Sequence, residues 1–251
     1  MRLLIVRHGA PEYERDTLTE QGWREAELLG ARLEREKPDF IYLSPLGRAQ
    51  DTAAETLRRT GLTPTVLPWL CEFDRRLPPP AENWAPWHLD PAVWLSDPEY
   101  RGLRWKETDL FRDTPFLKQY EADGEELDAL LAKHGYVRRG VAFDVTPEYY
   151  DINETIVFFC HLGRGVVLLS QLLSLPWVVA AHQFWLPTSS VTEIIFERSR
   201  FNRSVAIARC AALGSVSHLD ALGIKRCNSG FLMPIDGYTS ALDAPPTEAK
   251  V

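Results

Sequence analysis

Cysteine is scarce: four residues among 251, at Cys71, Cys160, Cys210 and Cys227. Their spacings match neither the paired ligands of a zinc module nor a dense disulfide framework. Free buried thiols and a cytoplasmic location are therefore expected. Basic blocks are absent and the net charge is −7, which argues against nucleic acid as the main partner, because phosphate backbones select basic faces. No apolar run reaches the length of a membrane span; the longest, Val166–Leu175, is interrupted by Ser170 and Gln171. No charged leader followed by an apolar core and a cleavage site opens the chain, so no secretory signal is expected. Internal repeats are also lacking.

What is present is strand and helix in alternation. Leu3–Val6 is a continuous apolar run, the mark of a strand covered on both faces. Thr19 is placed to cap a helix with Trp23, Ala26, Leu29 and Leu33 on one face. Phe40–Leu43 reads as a second strand, and Ser44-Pro45 as an N-cap with proline in the first turn of the next helix. Thr65–Leu67 is a third strand, Thr155–Cys160 a fourth, and Gly165–Leu173 a helix. Ser190–Glu197 and Arg203–Cys210 alternate and predict a hairpin at a sheet edge. Between Leu77 and Pro147 the texture changes to proline and tryptophan, with helices expected at Asp109–Tyr120 and Gly124–His134.

These signals predict an α/β fold: a three-layer α/β/α sandwich around a mostly parallel sheet with an edge antiparallel strand, plus a helical lid insertion. The core is expected at residues 1–76 and 148–222, the insertion at 77–147 and a C-terminal extension at 223–251, disordered at its end. Trp84, Trp87, Trp94 and Trp105 are read mainly as a small core of the insertion.

Ligands of such sheets bind beyond the carboxyl ends of the strands. Those ends carry Arg7-His8-Gly9, then Ser44 to Arg48, then Glu72 and Asp74, then His161 and Leu162. Two guanidiniums can hold an oxyanion at any working pH. A neutral imidazole is a competent nucleophile toward phosphorus, and a protonated second histidine can add a hydrogen bond to the same oxygens. A carboxylic acid of raised pKa can protonate the leaving alkoxide. Together the groups suit metal-free phosphoryl transfer. Taken singly, Arg7 or Arg48 reads as a surface ion-pair residue, His8 or His161 as a structural histidine, and Glu72 as an exposed carboxylate; the conjunction favours the site. A metal site ranks lower, because no histidine or carboxylate pair at ligand spacing is present and Arg7 would repel a cation.

"LLIVRHG", "LTEQGWREAELLGARL", "YLSPLGRAQDTA", "VFFCHLGRGVVLL" and "SSVTEI" together resemble the histidine phosphatase superfamily, the phosphoglycerate mutase-like proteins, over residues 1–74 and about 155–220. The resemblance implies that His8 becomes the phosphohistidine nucleophile. It implies that Arg7, Arg48 and His161 bind the phosphoryl oxygens, with the Leu162 backbone beside them, and that Glu72 is the general acid, with Asp74 in reserve. It implies no metal and no organic cofactor. The sequence departs from the family where Ala10-Pro11-Glu12 follows the first motif, where Leu162 follows the second histidine, and where "CEFDRRLPPP" follows the third strand. These departures tilt the expectation toward a phosphomonoester hydrolase acting on a small phosphorylated metabolite. The alternatives are a phosphoglycerate-type phosphomutase and a catalytically silent binding or regulatory member. A homodimer is compatible with the sequence.

Overall fold

Leu3 and Ile5 face one side of the first strand and pack in one apolar cluster, whereas Leu4 and Val6 belong to a second cluster on the other side. The alternation places this strand in the middle layer, as its uninterrupted apolar run predicts. The computed structural model describes residues 1–77 and 89–224 together with Cys227 and Ser229. Trp84, Trp87 and most of the expected C-terminal extension, including its end, lie outside the described residues.

In chain order the strands are β1 (Arg2–Arg7), β2 (Pro11–Glu12), β3 (Thr17–Leu18), β4 (Phe40–Leu43), β5 (Thr65–Val66), β6 (Tyr136–Arg139), β7 (Ala142–Val145), β8 (Thr155–Cys160), β9 (Val191–Arg198) and β10 (Val205–Ser215). The helices are α1 (Glu20–Glu36), α2 (Gly47–Thr60), α3 (Pro91–Leu95), α4 (Pro115–Lys133), α5 (Leu162–Leu173), α6 (Trp177–Gln183) and α7 (Ser217–Asp220). The central sheet runs β5-β4-β8-β1-β9-β10-β7-β6. β5, β4, β8 and β1 are mutually parallel, and β9, β10, β7 and β6 continue the sheet antiparallel. One face is covered by Leu29 and Leu33 of α1 and Ala53 of α2. The other carries α4, α5 and α6, with Phe116, Leu127, Leu168 and Trp177 in the larger cluster. Helices on both faces give the expected three layers.

Four local expectations are corrected. β9 and β10 do pair as a hairpin, but not at the sheet edge: β7 adds to β10 and β6 to β7, so residues expected in the insertion extend the sheet. The two helices expected there are one, α4, capped by Thr114, whose side chain accepts from the Leu117 N–H, with Pro115 at N1. Gly124 lies inside α4 because Gln171 approaches within 3.0 Å of where a Cβ would stand. Trp23 is exposed, and the buried face of α1 is Gly22, Glu25, Ala26, Leu29, Gly30 and Leu33. Helix α2 starts at Gly47 with Leu46 at its N-cap, not after Ser44, whose hydroxyl accepts the Leu46 N–H and also contacts His161. Trp105 packs edge-on against Phe111 and Tyr120 and belongs to the same cluster as the sheet.

Candidate active site

The parallel register builds the centre of the site. Arg7 stands opposite Cys160, and Val6 and Leu43 both stand opposite Phe159. The next residues along these strands are His8, Ser44 and His161, so all three emerge at one rim. The His8 N–H donates to the Cys160 carbonyl at 3.0 Å, and the two imidazoles face each other with ring centroids 5.2 Å apart. Arg7, His8 and His161 are each at most 2% exposed.

His8 Nδ1 lies 2.8 Å from the Gly9 carbonyl oxygen. A carbonyl only accepts, so Nδ1 carries the proton and Nε2 keeps its lone pair. Burial first, and then the Arg7 and Arg48 charges, hold this imidazole neutral well below the usual histidine range. His161 Nε2 is 2.7 Å from the Ser44 hydroxyl, which also accepts the Leu46 N–H. Burial, His8 and the arginines push His161 in the same direction. Burial first, and then the second imidazole and the guanidiniums, thus work against the protonated form expected of this histidine.

Arg48 sits in the first turn of α2, where its guanidinium meets the Asp16 carboxylate and lies 5.6 Å from the centre of the Tyr13 ring. Asp16 also accepts the Gly47 N–H at 2.6 Å, and its own backbone oxygen stands 2.2 Å from where a Gly47 Cβ would be. Arg7 donates through Nη1 to the Leu186 and Ser229 carbonyls and through Nη2 to the Ser229 hydroxyl. Three buried nitrogens of this set have no hydrogen-bond partner among the described residues: Arg7 Nε, Arg48 Nε and His161 Nδ1, the last a donor when Nε2 accepts from the Ser44 hydroxyl. Unpaired buried donors are costly, and an oxyanion accepts from all three kinds.

Glu72 closes the site. Its Oε1 accepts the Phe73 N–H at 2.8 Å and the Arg164 N–H at 2.9 Å. Burial raises its pKa above the usual carboxylate range against the pull of those N–H groups and of Arg7 and Arg48. Among the described residues no hydrogen bond or ion pair brings Asp74 into this network, though it lines the same cavity as Glu72. Leu162 is the first residue of α5, and its side chain packs in the core cluster. Its N–H belongs to the helix's first turn, which lacks intrahelical acceptors.

Sequence reasoning missed several groups. Glu25 is fully buried on α1 and accepts from the Ala10 N–H and the Ser189 hydroxyl, each at 2.9 Å, and from Gln21 at 2.8 Å; burial raises its pKa. It holds the turn that follows His8. The signal was a carboxylate on the apolar side of an amphipathic helix. Thr52 accepts the Gly9 N–H at 2.8 Å. Asp16, Arg164 and Ser229 left no local pattern that could have flagged them. Among the described residues no group of three histidine, cysteine or carboxylate side chains is placed to hold a metal ion, and no helix is long and apolar enough to cross a membrane.

A sequence model described as the histidine phosphatase superfamily (branch 1) matches residues 3–206. Among solved structures, a phosphoserine phosphatase variant of Entamoeba histolytica in complex with phosphoserine is 19% identical, covering 87% of this chain and 98% of its own at a TM-score of 0.56. The phosphoserine phosphatase of that organism in complex with 3-phosphoglyceric acid is 20% identical, with the same coverage of both chains and a TM-score of 0.55. A mycobacterial glucosyl-3-phosphoglycerate phosphatase is 23% identical, covering 85% of this chain and 98% of its own, also at 0.55. No curated protein sequence matches. At these identities the structural likenesses carry the fold.

Proposed function

Because the chain belongs to the histidine phosphatase superfamily, we propose that it hydrolyses phosphomonoesters through a phosphohistidine at His8, without a metal ion. The observation that carries this reading is the group of three unpaired buried donors, on Arg7, Arg48 and His161, around an imidazole whose Nε2 is free. The donors take the phosphoryl oxygens as charge builds on them. His8 Nε2 forms a bond to phosphorus as the ester P–O bond breaks, and the Glu72 proton passes to the departing alkoxide. The Glu72 carboxylate then takes a proton from water, the water oxygen bonds to phosphorus, and the P–N bond breaks. Inorganic phosphate and the starting enzyme result. The relatives solved with phosphoserine and 3-phosphoglyceric acid support a small phosphorylated metabolite as the substrate class.

The test is to quench the enzyme during turnover of p-nitrophenyl phosphate in the presence of chelator. The expected result is an unchanged rate and an acid-labile, alkali-stable phosphoryl group on His8. Loss of all turnover in chelator, or a phosphoryl group on another residue, would sink the mechanism.

The pH dependence follows from the two displaced titrations. Catalysis needs His8 unprotonated, which its lowered pKa secures well below pH 6.5. It needs Glu72 protonated, and the raised pKa of Glu72 extends that condition above pH 4.5. The kcat/KM profile should therefore peak on the acid side of neutrality and fall as pH rises through the Glu72 pKa. Glu72→Gln should lower the maximum and remove that alkaline limb. An alkaline limb unchanged in the variant would assign the acid to another group.

A further inference from the structure

We propose that the buried ion pair between Arg164 of α5 and Asp123 of α4 is a positioning strut for the Glu72 carboxyl, so that the insertion helix sets the general acid; this rests on the hydrolase reading above. Arg164 grips the segment 71–73 in three ways. Its N–H donates to Glu72 Oε1 at 2.9 Å, its Nε donates to the Cys71 carbonyl at 2.9 Å, and its guanidinium lies 5.5 Å from the centre of the Phe73 ring. Its Nη1 is then paired with Asp123 Oδ2, and Asp123 Oδ1 accepts from Gln119 Nε2 at 2.9 Å. Both charged side chains are 2% exposed.

The surroundings explain why a strut is needed. Residues 71–77 form neither helix nor strand. The Phe73 ring is buried and packs edge-on against Phe116 of α4, but Glu72 and Asp74 on either side of it line a cavity of about 260 Å³ with Gln119 and Arg164, so apolar packing anchors Phe73 and leaves the orientation of the Glu72 carboxyl to polar contacts. Packing α4 on α5 would be served as well by apolar side chains, since a desolvated ion pair contributes little net stability over them. What the charges add is direction: a planar fork fixed at one end by Asp123 presents Nε to one carbonyl only. With Oε1 held by two N–H groups, the proton resides on Oε2, the oxygen left to face the leaving group.

The test compares phenyl phosphate with p-nitrophenyl phosphate. Phenolate departs poorly unless protonated, whereas p-nitrophenolate needs little help. In Asp123→Asn and Arg164→Lys, kcat/KM for phenyl phosphate is expected to fall at least ten-fold further than for p-nitrophenyl phosphate. The ratio is taken within each protein preparation, so a partly folded fraction cancels. Hydrogen exchange at the Phe73 amide gives a readout without turnover, and is expected to accelerate relative to β1 amides. Equal losses on both esters, or an unchanged Phe73 amide, would overturn the strut. Retention of turnover in His8→Ala would instead overturn the phosphohistidine reading and leave the exchange measurement to decide the strut.

Discussion

His8→Ala should lower kcat on p-nitrophenyl phosphate by at least about 1000-fold, the scale on which removing a nucleophile acts. The imidazole offers an unshared lone pair on Nε2, since Nδ1 is committed to the Gly9 carbonyl. Neither arginine can substitute, because a guanidinium stays protonated. His161 cannot step in without breaking its bond to Ser44, and its backbone is fixed as the N-cap of α5. The donors are untouched by the substitution, so the dissociation constant for inorganic phosphate should change by less than about ten-fold, an effect worth under about 1.4 kcal/mol. The two measurements separate attack from binding. A variant that loses phosphate binding and turnover together would mean that His8 holds the anion or the fold and does not attack.

Gly22→Ala should be the most damaging small substitution away from the reacting groups, costing about 3 kcal/mol of stability, the upper range for overpacking a rigid site. An added Cβ would stand 2.2 Å from the Ala10 carbonyl oxygen and 3.0 Å from the Leu18 Cβ. The Ala10 oxygen cannot rotate aside, because it accepts from the Thr19 N–H at 3.0 Å and from the Thr19 hydroxyl at 3.1 Å. Helix α1 must then back away from the turn after His8. That movement would also loosen the Glu25 contacts to Ala10 and Ser189. Urea denaturation reads the stability loss, and kcat should fall with it even where the protein is fully folded, because Gly9 and Ala10 lose their backing. A midpoint unchanged within error would show that the helix and the turn are not in the close contact described here.

The parts legible in the sequence were the ones with strictly local causes. Apolar runs bounded by turn residues placed β1, β4 and β8, and each of these strands ends where its chemistry-bearing residues begin. Arg7, His8, Ser44 and His161 come together by that rule, because parallel strands in register deliver their next residues to one rim, whereas Arg48 reaches it from the first turn of α2, where Asp16 meets it. The burial of Leu3–Val6 on both faces was equally readable, since a continuous apolar run has no polar face to offer water.

Other features depended on contacts between residues far apart in the chain. Trp23 looked like a core residue and is exposed, because the inward position of α1 is given to Glu25, which the turn after His8 needs as an acceptor. Ser44 looked like a helix cap, and its hydroxyl also contacts His161, 117 residues away. The lowered pKa of His161 needed its burial and the positions of His8 and both arginines around it. The extension of the sheet by β6 and β7 came from pairing with β10, which no local pattern announces. By itself the sequence determined which side chains could do chemistry, since hydropathy period and strand ends are properties of neighbours along the chain. Only the tertiary structure decided which groups hold those side chains in place, because Asp16, Glu25, Asp123 and Arg164 act across gaps that the folded chain alone closes.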